Sequence, residues 1–274
     1  MTKLTYQKYR LPVVEALNSF DLFETGTTAP MAIWGVDSDT GERDRFVVKF
    51  KKHNRMTPVS SAFEFLGAWM AIEIGLPAAE PVVVNISDDF VSTLLGRDGY
   101  KAASQSLGFN FGTRYNSGIT QIPQIGFKLN DTMLEQAKLL FAFDLFIQNI
   151  DRGHQKPNVG TNGEELFVYD HELAFSFIHQ LPFLRSKTPW VLSSAESELY
   201  KKHFFYKRLK EEQIDFTAQV DKMDCFNDYF WNEVFTKIPK EFQVDKIKYV
   251  ISYLKLTLDH RSEFVNSLNK IIAS

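Results

Sequence analysis

Cysteine is almost absent from this sequence, and neither sign of charge is in large excess. The 274 residues include one cysteine, Cys225, so no disulfide framework can form, which fits a reducing cytoplasm. The formal net charge of −3 argues against a protein whose main role is to coat nucleic acid. We therefore expect a cytoplasmic protein that does not bind nucleic acid directly.

The sequence also lacks a long apolar run. The most apolar stretch, from Leu139 to Ile150, is interrupted by three polar residues and is shorter than the ~20 residues that a membrane-spanning helix needs. The first residues contain neither an apolar core nor a small-residue cleavage site. We expect neither a signal peptide nor a membrane partner.

Zinc-hydrolase spacing is missing as well, because none of the six histidines lies in a His-Glu-x-x-His pattern. Residues 201–208 are basic with interleaved aromatics, a pattern that can indicate contact with nucleic acid. A helix with one solvated basic face explains this segment better, because the rest of the sequence is not basic.

The sequence does contain enough apolar material for a large core, since 44% of its residues are hydrophobic. Strand patterns in the first half give way after Pro123 to long helical patterns. This order predicts an α+β, bilobal fold. An N-terminal lobe, residues 1–116, would hold an antiparallel sheet and one helix, and a larger, mainly helical C-terminal lobe would span residues 117–274.

Polar side chains gather where apolar patterning should dominate, between residues 143 and 177. Asn162-Gly163 is a strong hairpin signal, and a reversal there brings Asn158 and Asp170 to within roughly 5–8 Å at Cβ. Asp151 enters the same corner from the preceding loop. Two carboxylates and an amide oxygen are ligands that suit magnesium. A magnesium site with so few protein ligands usually takes its remaining ligands from phosphates. Either aspartate alone could be an ordinary turn residue; the pair joined by a hairpin favours a functional site.

Three further charged residues stand out against apolar surroundings. Lys49 lies within an apolar strand, either as an edge-strand charge or aimed at an anion. Glu64 follows Ser61 at capping-box spacing, so it could cap a helix in one state and pair with Lys49 in another. Asp144 falls inside a buried helix, and we expect it to hold the following loop by hydrogen bonds.

Together these residues occur in the order of a protein-kinase-like fold and meet the needs of phosphoryl transfer. Lys49, held by Glu64, can bind the α- and β-phosphates. Asp170 and Asn158 can ligate magnesium. Asp151 can orient the acceptor hydroxyl and accept its proton.

At these positions the sequence resembles the HipA-like serine/threonine kinases, particularly their short single-domain branch. The resemblance covers about residues 20–180. It rests on the segments Arg45 to Phe50, the Glu64 helix ending at Gly75-Leu76-Pro77, Phe109 to Tyr115, Asn149-Ile150-Asp151-Arg152 with Pro157-Asn158, and Val168-Tyr169-Asp170-His171 with Ala174-Phe175.

The resemblance implies an ATP- and magnesium-dependent kinase in which Asp151 is catalytic, Asp170 binds metal and Lys49 contacts phosphate. Asn149, Arg152, Asp144 and His171 would support these groups. Some relatives act as toxins of toxin–antitoxin pairs by phosphorylating translation components. A protein substrate and an antitoxin or regulatory partner are therefore expected.

Two features depart from the family pattern. The family's metal-binding asparagine commonly lies five residues after the catalytic aspartate, where this chain has Lys156; Asn158 offers the nearest amide. The phosphate-covering loop is also poor in glycine, with Gly26 beside Thr27 and Thr28, either of which could fill the role of the serine that relatives autophosphorylate. Lys156 keeps two alternatives open, a nucleotide-binding pseudokinase or regulatory module and a small-molecule kinase.

Overall fold

The structure is a computed structural model that describes residues 1–23, 28–181, 183, 186–212 and 214–274. In its N-terminal region, five strands form a closed barrel in the order β1-β2-β3-β5-β4. These strands are β1 (Val13–Leu22), β2 (Met31–Asp37), β3 (Arg43–Lys49), β4 (Pro81–Ile86) and β5 (Gly108–Arg114). Neighbouring strands pair antiparallel except β1 and β4, whose parallel pairing closes the barrel.

The expected antiparallel sheet is thus wrong in one respect, because the sheet is a barrel closed by a parallel pair. Strand β1 carries no clear alternation in the sequence. Its pairing with β2 shifts register between Ala16 and Asn18 and again between Ser19 and Asp21. Each shift moves the following side chains to the other face, so the period of two is lost.

Three helices lie among these strands, rather than a single one. The long helix α1 (Pro58–Glu73) follows β3, and two short helices, α2 (Asp88–Thr93) and α3 (Tyr100–Ser104), follow β4. Helix α1 is capped by Thr57, whose side chain accepts the N–H of Ser60 while Ser60 bonds back to Thr57. The predicted capping box of Ser61 and Glu64 is therefore wrong, and Glu64 lies in the second turn of α1, free for another role.

The C-terminal region is mainly helical, as expected. It contains α4 (Asp131–Phe146), α5 (Ser194–Tyr200), α6 (Tyr206–Lys210), α7 (Thr217–Asp221), α8 (Asp228–Lys237), α9 (Lys246–Asp259) and α10 (Arg261–Ala273). Among the described residues, single-turn 3₁₀ helices span Ser176–His179, Lys222–Cys225 and Lys240–Phe242. Among the helices of the described residues, none is both long and apolar enough to cross a bilayer. The division of the chain at residues 116 and 117 stays a prediction.

Two apolar clusters hold the fold together. One fills the barrel with side chains such as Ile33, Phe46 and Val84. The other joins the buried faces of α1 and α4 to the C-terminal helices. Helix α1 therefore packs on the helical region while its sequence neighbour β3 belongs to the barrel, which brings residues of both regions to one boundary.

The predicted hairpin is present at that boundary. Strand β7 (Val159–Thr161) pairs antiparallel with β8 (Leu166–Val168), and a short strand, β6 (Thr120–Gln121), pairs with the other edge of β7. The turn has four residues. Gly163 takes a positive φ of 93°, and the side chain of Asn162 accepts two backbone N–H groups across the turn. The ends of the hairpin are Asn158 and Tyr169, which share a backbone hydrogen bond.

Candidate active site

Lys49 is the last residue of β3, and its ammonium is the centre of an ionic cluster. Strand alternation turns Phe46 and Val48 into the barrel and Lys49 to the opposite face, where only 8% of the residue is exposed. The Nζ atom donates to Glu64 Oε1 and, at 2.9 Å, to Asp170 Oδ1. Burial lowers the pKa of Lys49, but the adjacent carboxylates outweigh it and raise the pKa above its usual range. The lysine is therefore charged and aimed at the cleft, not at an exposed sheet edge.

Glu64 ties helix α1 to the loop after the hairpin. Its Oε1 binds Lys49, while its Oε2 accepts the backbone N–H of His171 at 2.9 Å. Burial raises the pKa of Glu64 to about 7, against the opposing effect of Lys49. The Lys49 ammonium stays protonated whether Glu64 is ionised or neutral, because Asp170 also contacts it. One glutamate thus fixes both the lysine and the backbone next to Asp170.

Asp170 follows β8 and is held by two lysines. Lys49 binds its Oδ1 at 2.9 Å and Lys156 binds its Oδ2 at 3.1 Å. Burial raises the pKa of Asp170, but the two ammonium groups outweigh it and hold the pKa well below its usual range. The residue has a left-handed backbone with φ of 66°. Aspartate tolerates that conformation better than most residues, so the site places its carboxylate at a small cost in strain.

The loop after α4 is fixed by a buried acid, as the sequence predicts. Asp144 is fully buried. Its Oδ1 accepts from Asn149 at 3.1 Å, and its Oδ2 accepts from Arg152 Nε at 2.5 Å and pairs with His203 Nε2 at 3.0 Å. Burial raises the pKa of Asp144, but Arg152 and His203 outweigh it and lower the pKa. The carboxylate therefore stays ionised and anchors the loop.

Arg152 carries this anchoring across the loop to the hairpin. Its Nη1 donates to the backbone carbonyl of Asn158 at 2.7 Å and to that of Pro157 at 3.3 Å. A longer bond of 3.4 Å reaches the carbonyl of Tyr169. The buried guanidinium thus connects Asp144 to both ends of the hairpin.

Asp151 is half-buried and is oriented from two sides. Its backbone N–H donates to Asn149 Oδ1 at 3.2 Å. The Nδ2 atom of Asn158 donates to the Asp151 carbonyl at 3.1 Å and to its carboxylate Oδ2 at 3.3 Å. With its nitrogen bound to Asp151, Asn158 has its amide oxygen as the atom that can bind a cation.

A cavity is lined by several of these groups, including Glu64 and Asp170, but Asp151 is not among its lining residues. Its volume is about 740 Å³, within the usual range of small-ligand sites. Its wall has an apolar part, which includes Val47, Ala68 and Phe111, and a charged part, which includes Lys49 and Asp170. Other polar residues of the wall are Thr28, Asn158, Lys156 and His171. Such a cavity can hold a flat apolar group at one end and an anionic group at the other.

The glycine-poor loop lies largely outside the described residues. Gly26 and Thr27 fall there, so their predicted contact with phosphate stays a prediction. Thr28 is described; it is buried and lines the cavity.

Sequence reasoning missed two residues of the cluster. Glu172 is buried, with Oε1 bound to Arg55 at 2.8 Å and Oε2 at 3.9 Å from Lys49 Nζ. The carboxylates of Glu64, Asp170 and Glu172 lie within 4.8 Å of one another, an arrangement that can hold a cation. Glu172 could have been found from the sequence, because it is an acid two residues after Asp170 and precedes an apolar stretch. Arg55 gave no signal, because its partner Glu172 is distant in the chain.

The basic segment at residues 201–208 is only in part the predicted helix with one solvated basic face. The prediction holds for α6, where Lys207 and Arg208 are exposed and Tyr206 is buried, but residues 201–205 are not helical. A turn precedes α6, and His203, Phe205 and Tyr206 are buried. The His203 ring contacts Asp144 at Nε2 and accepts the N–H of Phe205 at Nδ1 at 3.2 Å. Through His203 the segment supports the loop of Asp151, while Lys202, Lys207 and Arg208 face solvent.

Comparison with known proteins shows the family of this chain. A family model described as HipA-like kinase matches residues 23–269. The chain belongs to the HipA-like kinase family. No curated protein matches it. Among solved structures, the crystal structure of the Helicobacter pylori proinflammatory kinase CtkA is similar, with 11% sequence identity, 92% of this chain and 94% of that chain covered, and a TM-score of 0.47.

As a HipA-like kinase, the chain is a kinase-type phosphotransferase, and kinases in general use ATP and a metal ion. The residues present fit both. The Asp170 carboxylate and the Asn158 amide oxygen are hard donors of the kind that magnesium prefers, and both residues line the cavity. Lys49 supplies a buried, permanently charged donor for phosphate beside them.

Proposed function

We propose that this HipA-like kinase transfers the γ-phosphate of ATP, with magnesium, to a serine or threonine hydroxyl of a protein. One observation carries the proposal. A buried lysine paired with Glu64 and Asp170 shares a cavity wall with Asn158, which in turn holds the carboxylate of Asp151. Phosphoryl transfer requires little covalent chemistry from protein and depends on this kind of positioning and charge.

Lys49 binds and orients phosphate in this proposal. Its ammonium is fixed by Glu64, whose second oxygen is fixed by the N–H of His171. Because the side chain is already ordered and desolvated, little conformational entropy is lost when phosphate binds. Magnesium, when bound at Asp170 and Asn158, neutralises phosphate charge.

Asp151 handles the proton of the acceptor. Its carboxylate is oriented by Asn158, and its backbone is oriented by Asn149. It accepts a hydrogen bond from the acceptor hydroxyl, which aims the oxygen at the phosphorus. It takes the proton as the new P–O bond forms and the bond from the γ-phosphorus to the oxygen of the β-phosphate breaks, with ADP as the leaving group. Asp144 and Arg152 hold the loop in this position from the buried side.

The test is phosphate transfer by the Asp151→Asn variant. Loss of a general base should reduce transfer from γ-labelled ATP by about 10²- to 10⁴-fold. The folded state should be retained, because the Asp151 carboxylate is half-exposed and Asn keeps the hydrogen-bonding shape. Asp98→Asn, an exposed change outside the cavity wall, is the matched control and should transfer at the unchanged rate.

The assay should offer protein acceptors, the chain itself and small-molecule acceptors in separate reactions with wild-type chain. Transfer to a protein supports the proposal. Transfer to a sugar or antibiotic but to no protein would instead select a small-molecule kinase. An Asp151→Asn chain as active as wild type would reject the role of Asp151.

A second candidate is a nucleotide-binding regulatory module without turnover. The observation that favours it is the contact of Lys156 with Asp170, which places an ammonium on the proposed metal ligand. Nucleotide binding with no γ-phosphate turnover over a broad set of acceptors would select this candidate.

The biological setting is inferred from the resemblance to HipA-like kinases and is part of the same proposal. It comprises a cytoplasmic location, a toxin role and an antitoxin or regulatory partner. Autophosphorylation at Thr27 or Thr28 is a further part of it. Mass spectrometry that finds both threonines unmodified after incubation with ATP and magnesium would remove that part.

A further inference from the structure

The carboxylate of Asp170 lies between two lysines that reach it from different elements. Lys49, at the end of β3, binds Oδ1 at 2.9 Å. Lys156, in the loop between α4 and β7, binds Oδ2 at 3.1 Å. Each oxygen of the proposed metal ligand therefore already has a cationic neighbour.

The acids of this cluster are offset by nearby cationic side chains, and Lys156 is one of them. Three carboxylates, those of Glu64, Asp170 and Glu172, lie within 4.8 Å of one another. Three cationic side chains contact them among the described residues, Lys49, Arg55 and Lys156. A buried acid with less compensating charge is costly, so removing Lys156 should favour the binding of another cation at Asp170.

Lys156 is also the more accessible of the two ammonium groups at Asp170. Its side chain is 36% exposed, against 10% for Lys49, and it lines the cavity. The next residue is Pro157, whose fixed φ restricts the loop, and its carbonyl is held by Arg152. The lysine is thus anchored at its base by the loop, and its ammonium, which binds Asp170, is exposed enough for a ligand phosphate to meet it as well.

We propose that Lys156 is a tethered cation at the phosphate end of the cavity and takes the place of a second divalent ion, so that nucleotide binds with one metal ion per chain. The inference rests on the proposed function. Asp170 and Asn158 supply the protein ligands of the single ion, and Lys156 adds the positive charge that a second ion would bring. The low pKa of Asp170 agrees with this arrangement, because the carboxylate stays ionised between the lysines.

The first test counts bound ions. Full-length chain is titrated with Mn²⁺ in the presence of a non-hydrolysable ATP analogue, and free Mn²⁺ is followed by electron paramagnetic resonance. Wild type should bind one Mn²⁺ per chain. Lys156→Asn, which removes the charge and adds an amide oxygen, should bind two. Lys156→Arg keeps the charge and should bind one, as should the control Lys101→Asn at an exposed site outside the cavity wall.

The second test measures affinity for the analogue in excess EDTA. Without metal, Lys156 and Lys49 are the cations left at Asp170, so Lys156→Met should weaken binding by about tenfold, between the effects of exposed and buried charge pairs. Lys156→Arg should restore most of the affinity, which a merely structural role of the Lys156 chain would not achieve. Lys101→Met should have no effect.

The outcomes separate this inference from the function beneath it. Two Mn²⁺ ions on wild type, or equal counts on wild type and Lys156→Asn, would overturn the tethered-cation role while leaving nucleotide binding intact. Unchanged metal-free affinity in Lys156→Met would do the same. A wild-type chain that binds no analogue with or without metal would reject the proposed function, and the inference with it.

Discussion

At the scale of single residues, the structure shows why a histidine far from the cavity matters to it. The ring of His203 accepts the N–H of Phe205 at Nδ1, so the proton of the neutral ring is on Nε2, where it is donated to Asp144. Burial lowers the pKa of His203, and Asp144 opposes this only in part. A second proton would face the N–H of Phe205, so the folded chain disfavours the imidazolium.

This arrangement predicts a pH dependence of stability. The unfolded chain protonates His203 near its usual pKa of about 6.5, before the folded chain does. The neutral His203 ring therefore contributes fully to the free energy of unfolding above about pH 6.5. As the pH drops below that value, the free energy of unfolding falls by up to about 1.4 kcal/mol per pH unit. His171 acts in the same direction, since burial lowers its pKa to about 3.

The measurement is urea unfolding of wild type and His203→Gln between pH 6.5 and pH 5. The variant keeps one donor for Asp144 but cannot titrate, so its free energy of unfolding should fall less steeply with acid. His179→Gln is the control, because His179 is exposed and should leave the slope unchanged. If the free energies of unfolding of wild type and His203→Gln fell equally steeply with acid, the result would contradict a neutral His203 ring in the folded chain.

At the scale of elements, helix α1 approaches the loop of Asp170 closely because Gly67 has no side chain. A Cβ built at Gly67 would lie 2.5 Å from Cβ and Cγ of His171. The same loop donates the His171 N–H to Glu64, one turn earlier in α1. The contact at Gly67 therefore sets the distance between the lysine–glutamate pair and Asp170.

Gly67→Ala tests this close approach, and the sign of the effect is informative. In a solvent-exposed helix interior the change should stabilise by about 0.5–1 kcal/mol. At Gly67 we expect the change to destabilise the chain by about 1–3 kcal/mol, because His171 must move. We also expect weaker nucleotide binding, because the movement of His171 displaces the loop of Asp170. Denaturant unfolding and nucleotide titration measure the two effects.

The control for this helix contact is Gly118→Ala, since a Cβ there meets nothing within 4 Å and φ is not positive. It should change stability by less than about 0.5 kcal/mol. A Gly67→Ala chain that is more stable than wild type would show that α1 does not press on His171.

Elements with local signals could be predicted from the sequence, and those without them could not. The hairpin follows from Asn162-Gly163, and the start of α4 follows from Asn130, whose side chain caps it. The start of α1 was placed four residues late, at Ser61 instead of Thr57, because Ser61 and Glu64 have capping-box spacing by coincidence. Strand β1 was missed because its two register shifts break the alternation on which the signal depends.

At the scale of the whole molecule, the residues of the site come from sequence neighbourhoods that only the fold unites. The pairing of β1 with β4 joins residues that are seventy positions apart in the chain, and no local pattern encodes it. The same holds for Arg55 with Glu172 and for His203 with Asp144. Lys49, Glu64 and Asp170 could be selected from the sequence because each is a charged residue in an apolar setting, and Asp151 because its loop leads to the hairpin. Their partners lacked that contrast.

The most direct test of the central claim is a crystal structure of the chain with a non-hydrolysable ATP analogue and magnesium. The account predicts the analogue in the 740 Å³ cavity, with phosphate oxygens within hydrogen-bonding distance of Lys49 Nζ and magnesium on the carboxylate of Asp170. An analogue bound elsewhere, or bound in the cavity with its phosphates turned away from Lys49 and Asp170, would contradict it.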